Sequence, residues 1–119
     1  MQVVAKVLVG LVAVIHVYIV ILEMVLWKQR AHKVFPVTKE FAAQAASMAS
    51  NQGLYNAFLV AALLLGLFLP DAQLARAFLL YGLICVAVAG IWGGATVHKR
   101  IFMVQTVPAG LALAASLLS

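Results

Sequence analysis

The sequence predicts an all-α fold, an integral membrane four-helix bundle in which helix two extends into the cytoplasm. Hydrophobic residues make up 66% of the 119-residue chain and charged residues 9%, whereas a soluble domain carries about 25% charged residues. The apolar residues form four segments, each close to the roughly 20 residues that cross a bilayer as a helix. We therefore expect one transmembrane domain over residues 1–119, surrounded by the lipid bilayer.

Turn signals and helix caps give the bounds of the predicted elements. The four spans cover approximately residues 3–27, 52–69, 77–97 and 101–118. Pro70-Asp71 is a turn signal that ends the second span. Thr38 suits a helix N-cap and no proline follows it before Pro70, so residues 38–69 are predicted as one helix. Its first part, about 38–51, is the cytoplasmic extension of helix two.

The basic residues predict the orientation in the membrane. The loops after spans one and three lie on one side and carry Lys28, Arg30, Lys33, Lys39, Lys99 and Arg100. The other side carries only Lys6 and Arg76. Loops rich in Lys and Arg stay in the cytoplasm, so we expect a multi-pass inner-membrane protein with its long loop inside and both termini outside. The net charge of +5 lies in these loops and indicates topology, not a nucleic-acid partner.

Span one contains two ionisable side chains, His16 and Glu23. Such a group at membrane depth costs at least a few kcal/mol unless it is paired or hydrated, and by default it marks a functional site. The two are seven residues apart and therefore lie roughly 20° apart on one helix face, with Trp27 about 40° from Glu23. We take Glu23 as the centre of a candidate site.

Further polar and aromatic side chains share the depth of Glu23. At about 1.5 Å per residue they fall in one layer roughly 5–10 Å below the cytoplasmic surface. They are Gln52, Tyr55 and Asn56 of span two, Trp92 and Thr96 of span three, and Gln105 of span four. Pro108 cannot donate to the carbonyl of Val104, which frees an acceptor beside Gln105. Together with His16, Glu23 and Trp27, these residues predict a cytoplasm-facing polar pocket, with Glu23 as the candidate catalytic residue.

Each candidate also has a purely structural explanation. Intramembrane amides commonly hydrogen-bond between helices, and tryptophans form belts at the membrane surface. His16 fits a neutral, hydrogen-bonded core position, and Glu23 fits an ion pair with Lys99 or Arg100. Gly90 and Gly94 form a small-xxx-small pair that lets another helix approach closely, inside the chain or in a homo-oligomer.

Several chemistries are excluded by the residue content. The chain has no Gly-rich phosphate loop, no cysteine pair, no H-E-x-x-H and no G-x-S-x-G element. Its three histidines are scattered, so we expect no metal site and no cofactor. Glu23 is the single acid inside a span, so any catalysis would use it as a lone acid or base.

Four stretches of the chain resemble a family of small bacterial membrane proteins. They are HVYIVILEMVLW (16–27), NQGLYNAFLVAAL (51–63), VAGIWG (88–93) and VQTVPAGLA (104–112). The N-Q-G-x-Y-N element is the most distinctive, and the family is catalogued as domain of unknown function 1304. The resemblance implies a four-helix membrane protein and no assigned activity.

A fainter resemblance is to the membrane-associated eicosanoid and glutathione metabolism proteins, which are four-helix chains of similar size that form trimers. Their second helix begins with an Arg-rich element followed by Asn, Glu and Pro. In the corresponding stretch here, residues 43–58, only Asn51 fits and no arginine or glutamate occurs. This resemblance therefore implies no glutathione chemistry for the chain.

Three functions remain open from the sequence. The first is binding of a small or lipid-like ligand in the pocket around Glu23, with or without catalysis. The second is a transporter or channel subunit with His16 and Glu23 on a proton or ion path. The third is a structural partner of another membrane protein. A transport path needs polar groups through the whole bilayer and the outer half has few, so the sequence favours the first.

Overall fold

Residues 2–119 fold into four long helices and two short ones. The structure, a computed structural model, describes residues 2–119, and all regular secondary structure within that range is helical. The helices are α1 (Gln2–Met24), α2 (Trp27–Val34), α3 (Lys39–Gln44), α4 (Ala46–Phe68), α5 (Ala72–Thr96) and α6 (Lys99–Leu117). The turn Phe102–Thr106 within α6 is a π-helix.

The four long helices α1, α4, α5 and α6 are each long and apolar enough to cross a membrane. An 18-residue stretch within each helix has a mean hydropathy of 2.5, 1.4, 2.1 and 1.4 in chain order. The Cα extents of 46 × 24 × 18 Å match a bilayer, which is about 40–45 Å thick with its headgroups. The predicted all-α four-helix membrane fold is confirmed.

The long helices are arranged in a ring in which α1 packs between α4 and α6, and α5 packs between the same two. Side chains from all four helices form the core: Val9, Val12, Ala13, Leu63, Leu83, Val86, Ala109 and Ala112. In α1 these core residues precede His16. The core therefore fills the half of the bundle that lies away from Glu23, and we call that end the opposite end. The end that carries Lys28, Arg30, Lys33, Lys39, Lys99 and Arg100 is the basic end.

The prediction that residues 38–69 form one helix is wrong, because the helix is interrupted at Ala45. Thr38 does cap α3, since its hydroxyl accepts a hydrogen bond from the backbone N–H of Phe41 at 3.1 Å. The interruption coincides with a contact from α2: the indole N–H of Trp27 donates to the carbonyl of Ala42 at 2.8 Å. In an uninterrupted helix that carbonyl would accept from residue 46. The short helix α3 therefore packs against α2 and does not simply prolong α4.

Helix ends also differ from the predicted span limits. Helix α1 ends at Met24, and Trp27 begins α2, so Trp27 does not belong to the first span. Helix α5 begins at Ala72 because the Asp71 carboxylate accepts hydrogen bonds from the backbone N–H groups of Gln73 and Leu74, both at 3.0 Å. An Asp before an apolar run is a helix start signal, and here it lengthens the helix toward the loop.

The π-helical turn in α6 lies just before Pro108. The backbone N–H of Val107 bonds to the carbonyl of Phe102, five residues earlier, in place of the usual four. Pro108 has no N–H to continue the α-helical pattern to Val104. Gln105 is the buried residue of this turn.

Candidate functional site

Glu23 is paired with Asn56 across the α1–α4 interface. The Asn56 amide nitrogen Nδ2 donates to Glu23 Oε1 at 2.6 Å. Asn56 is buried and Glu23 is partly exposed. The predicted contact between Glu23 and Asn56 is therefore present in the structure.

Gly53, which is absent from the predicted site residues, lets α4 approach α1 closely beside this pair. A Cβ atom built at Gly53 would lie 3.1 Å from the Cβ of Glu23 and closer still to Met24. The backbone of α4 thus approaches α1 closely one turn before Asn56. The signal available in the sequence was a glycine three residues before the asparagine, which places both on one helix face.

The second carboxylate oxygen of Glu23, Oε2, has no protein donor among residues 2–119. The expected alternative, an ion pair with Lys99 or Arg100, is not formed. The Arg100 guanidinium donates instead to the carbonyl of Val34 at 3.1 Å. Glu23 therefore keeps one hydrogen-bond acceptor that the described chain leaves free.

His16 forms a second polar pair, which is buried, with Gln105 of α6. His16 Nδ1 lies 2.9 Å from the carbonyl of Val12, and His16 Nε2 lies 3.0 Å from the Gln105 amide nitrogen. A carbonyl only accepts and an amide NH₂ only donates, so this arrangement assigns the proton to Nδ1 and the lone pair to Nε2. His16 thus fits the structural explanation of a hydrogen-bonded core histidine.

The predicted single polar cluster is wrong, because the nine candidates divide into separate groups. Glu23–Asn56 and His16–Gln105 are two pairs on α1 whose α1 residues lie about 10 Å apart along the axis. Four candidates point away from the bundle: Gln52, Tyr55, Trp92 and Thr96 are exposed. The ninth, Trp27 of α2, contacts Phe35, with the ring centroids 5.8 Å apart and the rings tilted by 43°.

The face of α5 explains why Trp92 and Thr96 do not join the site. The buried residues of α5 include Gly82, Val86 and Gly90, whereas Trp92 on the other side is 72% exposed. The Thr96 hydroxyl donates to the carbonyl of Trp92 within its own helix at 2.7 Å. Helix α5 therefore turns its glycine face inward and its aromatic face outward to the membrane.

The glycine pair Gly90 and Gly94 packs inside the chain. A Cβ at Gly90 would lie 2.7 Å from the backbone nitrogen of Thr106, and one at Gly94 would lie 2.7 Å from the Cβ of Phe102. The Thr106 hydroxyl donates to the carbonyl of Ala87 at 2.9 Å and joins the same two helices. This face is used by α6 and is not free for a second copy of the chain.

Within residues 2–119, no group of three His, Cys, Asp or Glu side chains is placed to hold a metal ion together. Among the nine candidates, the Glu23 carboxylate and its Asn56 partner are the polar pair nearer to the basic end. This pair is well placed to accept a hydrogen bond from another molecule through Oε2.

The comparison with known proteins gives one match. Residues 10–117 match the model of a family described as a protein of unknown function, DUF1304. No curated protein and no solved structure matches the chain.

Proposed function

Because this chain belongs to the DUF1304 family of unknown function, we propose its function from the geometry of its site. The protein is a membrane protein whose Glu23–Asn56 pair binds a small or lipid-like ligand that enters from the basic end. The observation that supports this proposal is the hydrogen bonding of the two Glu23 carboxylate oxygens. Asn56 binds Oε1 at 2.6 Å, and Oε2 is left without a donor from the described chain.

The chemistry of the pair indicates what the ligand offers. A carboxylate that accepts one hydrogen bond from an amide keeps the capacity to accept more. A hydroxyl or ammonium group would donate to Oε2, and such charge-assisted bonds are about twice as strong as neutral ones. The ligand therefore carries at least one hydroxyl or amino group, and an apolar part suits the exposed Leu54 and Met24 side chains nearby in sequence.

The position of Glu23 supports entry from the basic end. Glu23 is followed by only one further residue of α1, so it lies close to the membrane surface. The carboxylate is partly exposed, because the close packing of Gly53 against α1 involves Met24 and the Cβ of Glu23 and not its carboxylate oxygens. A ligand would reach Oε2 without crossing the membrane.

The packing of the opposite end argues against a proton or ion path. Beyond His16 the bundle is filled by the apolar core, in which Val9, Leu63 and Leu83 are fully buried. A continuous path would need polar groups or water through this part. His16 and Glu23 therefore cover only half of the bilayer, and this supports binding over transport.

The test compares Glu23→Gln with Glu40→Gln. Glu40 is the other acid at the basic end and lies exposed on α3, so its variant changes the net charge equally. We expect native mass spectrometry of protein extracted from membranes to show a co-purified molecule on the wild type and on Glu40→Gln. The Glu23→Gln variant, which keeps the size of the side chain, should lose that molecule while its melting temperature stays within a few degrees of the wild type.

Two results would contradict the proposal. One is a co-purified molecule held equally by Glu23→Gln. The other is proton flux through proteoliposomes of the purified protein that Glu23→Gln abolishes, which would favour the path through His16 and Glu23.

A further inference from the structure

We propose that a groove between α5 and α6 at the basic end binds the headgroup and upper chain of an anionic phospholipid. The groove has a volume of about 750 Å³. It is separate from the Glu23–Asn56 pair, so this proposal does not depend on the proposed function.

The groove has two chemically different parts. Its rim carries His98, in the turn between α5 and α6, and Lys99 and Arg100, the first two residues of α6. Its wall carries Ile91, Phe102 and Met103. A basic rim next to an apolar wall matches a lipid, whose headgroup is charged and whose chains are not.

The positions along the helices place these parts at the right depths. Lys99 is the first residue of α6, so the rim lies where the helix leaves the hydrocarbon. Ile91 lies about two turns deeper on α5. The cations therefore lie at headgroup level and the apolar wall lies at the level of the first acyl carbons.

The positive charge at the rim is not neutralised by the protein. Within residues 2–119 the acids are Glu23, which binds Asn56, Glu40 on α3, and Asp71 at the opposite end. The Arg100 guanidinium bonds to an uncharged carbonyl, that of Val34. This contact also brings the end of the basic helix α2 next to the groove.

The charge distribution also distinguishes between two possible occupants of the groove, a second copy of the chain and an anionic phospholipid. A second copy of the chain would bring its own basic end, with six Lys and Arg residues and net charge +5 overall, against the same charge. An anionic phospholipid brings the opposite charge and is already present at this depth. Each Lys or Arg near such a surface contributes about 1 kcal/mol of attraction, or about fivefold in affinity.

The experiment uses the full chain in vesicles made of equal amounts of phosphatidylglycerol and phosphatidylcholine. Native mass spectrometry of the protein released from them measures which lipid stays bound. We expect retained phosphatidylglycerol on the wild type, and about fivefold weaker retention on Lys99→Gln. Ala95→Phe, which fills the groove without changing the charge, should also lower retention, since Ala95 lines it.

The matched controls are Lys39→Gln and Lys6→Gln, which remove one exposed cation each from α3 and from the opposite end. Both should retain phosphatidylglycerol as the wild type does. Equal losses in Lys39→Gln and Lys99→Gln would overturn the proposal, because they would show attraction to diffuse surface charge. Two other results would also overturn the proposal. One is retention of phosphatidylcholine equal to that of phosphatidylglycerol, and the other is a protein dimer that Ala95→Phe dissociates. If Ala95→Phe does not fold, the comparison of the lysine variants alone decides.

Discussion

Two polar pairs, the partly buried Glu23–Asn56 and the buried His16–Gln105, join helices far apart in sequence. Each places a side chain of α1 against an amide from another helix. A hydrogen bond between transmembrane helices contributes about 0.6 kcal/mol on average, but an unsatisfied buried partner costs about 1–3 kcal/mol and more when it is charged. Each pair therefore affects the free energy of unfolding mainly when one of its two partners is removed.

The difference between removing one partner and removing both gives a prediction for Asn56→Leu. The variant should lower the free energy of unfolding by about 1–3 kcal/mol, because Glu23 loses its single protein donor. The double variant Glu23→Leu/Asn56→Leu should recover most of that loss, since removing both partners leaves no unpaired group. Reversible unfolding in detergent measures both, and Asn51→Leu, an exposed position on the same helix, is the control. Equal stability of Asn56→Leu and Asn51→Leu would mean that the pair does not stabilise the bundle.

Depth in the membrane could be predicted from the sequence, but the direction of side chains could not. Counting residues from the span ends placed Glu23 and Asn56 at one level, and the structure joins them. The same count placed Trp92 there, but Trp92 points outward because the packed face of α5 is its glycine face. Which face of an apolar helix packs depends on the shapes of its neighbours, and the periodicity of an almost uniformly apolar sequence carries little of that information.

At the scale of whole helices, two features could not be predicted from sequence patterns. The interruption at Ala45 coincides with a hydrogen bond from the Trp27 indole, which comes from another helix and occupies the carbonyl of Ala42. The π-helical turn lies next to Pro108, whose missing N–H can be read from the sequence. The contact between Gln105 and His16 also requires the packing of α6 on α1. Long-range contacts of this kind override local helix propensity.

The contact between α5 and α6 gives a second prediction, in which Gly90→Ala is compared with Gly10→Ala. A methyl group at Gly90 would meet the backbone of Thr106 and the Cβ of Gln105 at 2.7 and 2.9 Å, whereas nothing lies within 4 Å at Gly10. Gly90→Ala should therefore cost about 1–3 kcal/mol through overpacking, and Gly10→Ala should leave stability unchanged or raise it. Melting temperatures in detergent measure the difference. A Gly90→Ala variant as stable as Gly10→Ala would show that α5 and α6 are not in close contact there.

At the scale of the whole molecule, the bundle is asymmetric along its long axis. One half holds a dry apolar core, and the other holds the two polar pairs, the helices α2 and α3 and most of the basic residues. The positive-inside rule predicts that the basic end faces the cytoplasm. This orientation is a prediction from the charge distribution.

Cysteine labelling tests this orientation. In a Cys85→Ala background, which removes the single native cysteine, Gln73→Cys should react with a membrane-impermeant maleimide added to intact cells. Ser47→Cys should react only after the cells are opened. Ser47 lies at the start of α4, at the basic end, and Gln73 lies at the start of α5, at the opposite end. Both side chains are exposed. The reverse labelling pattern would place the basic end outside.

The separation of Glu23 and Asn56 has a consequence for how the protein is made. A chain enters the membrane from its N-terminus as it is synthesised, at about 5–20 residues per second. Asn56 is 33 residues after Glu23, so the first helix meets the lipid before the partner of its carboxylate has been translated. Helix α1 contains the most apolar 18-residue stretch of the four, with a mean hydropathy of 2.5, which compensates the cost of an unpaired glutamate during that interval. Biogenesis therefore constrains the composition of α1 in a way that the folded bundle does not, and polar substitutions there should reduce membrane insertion even where they leave the finished structure intact.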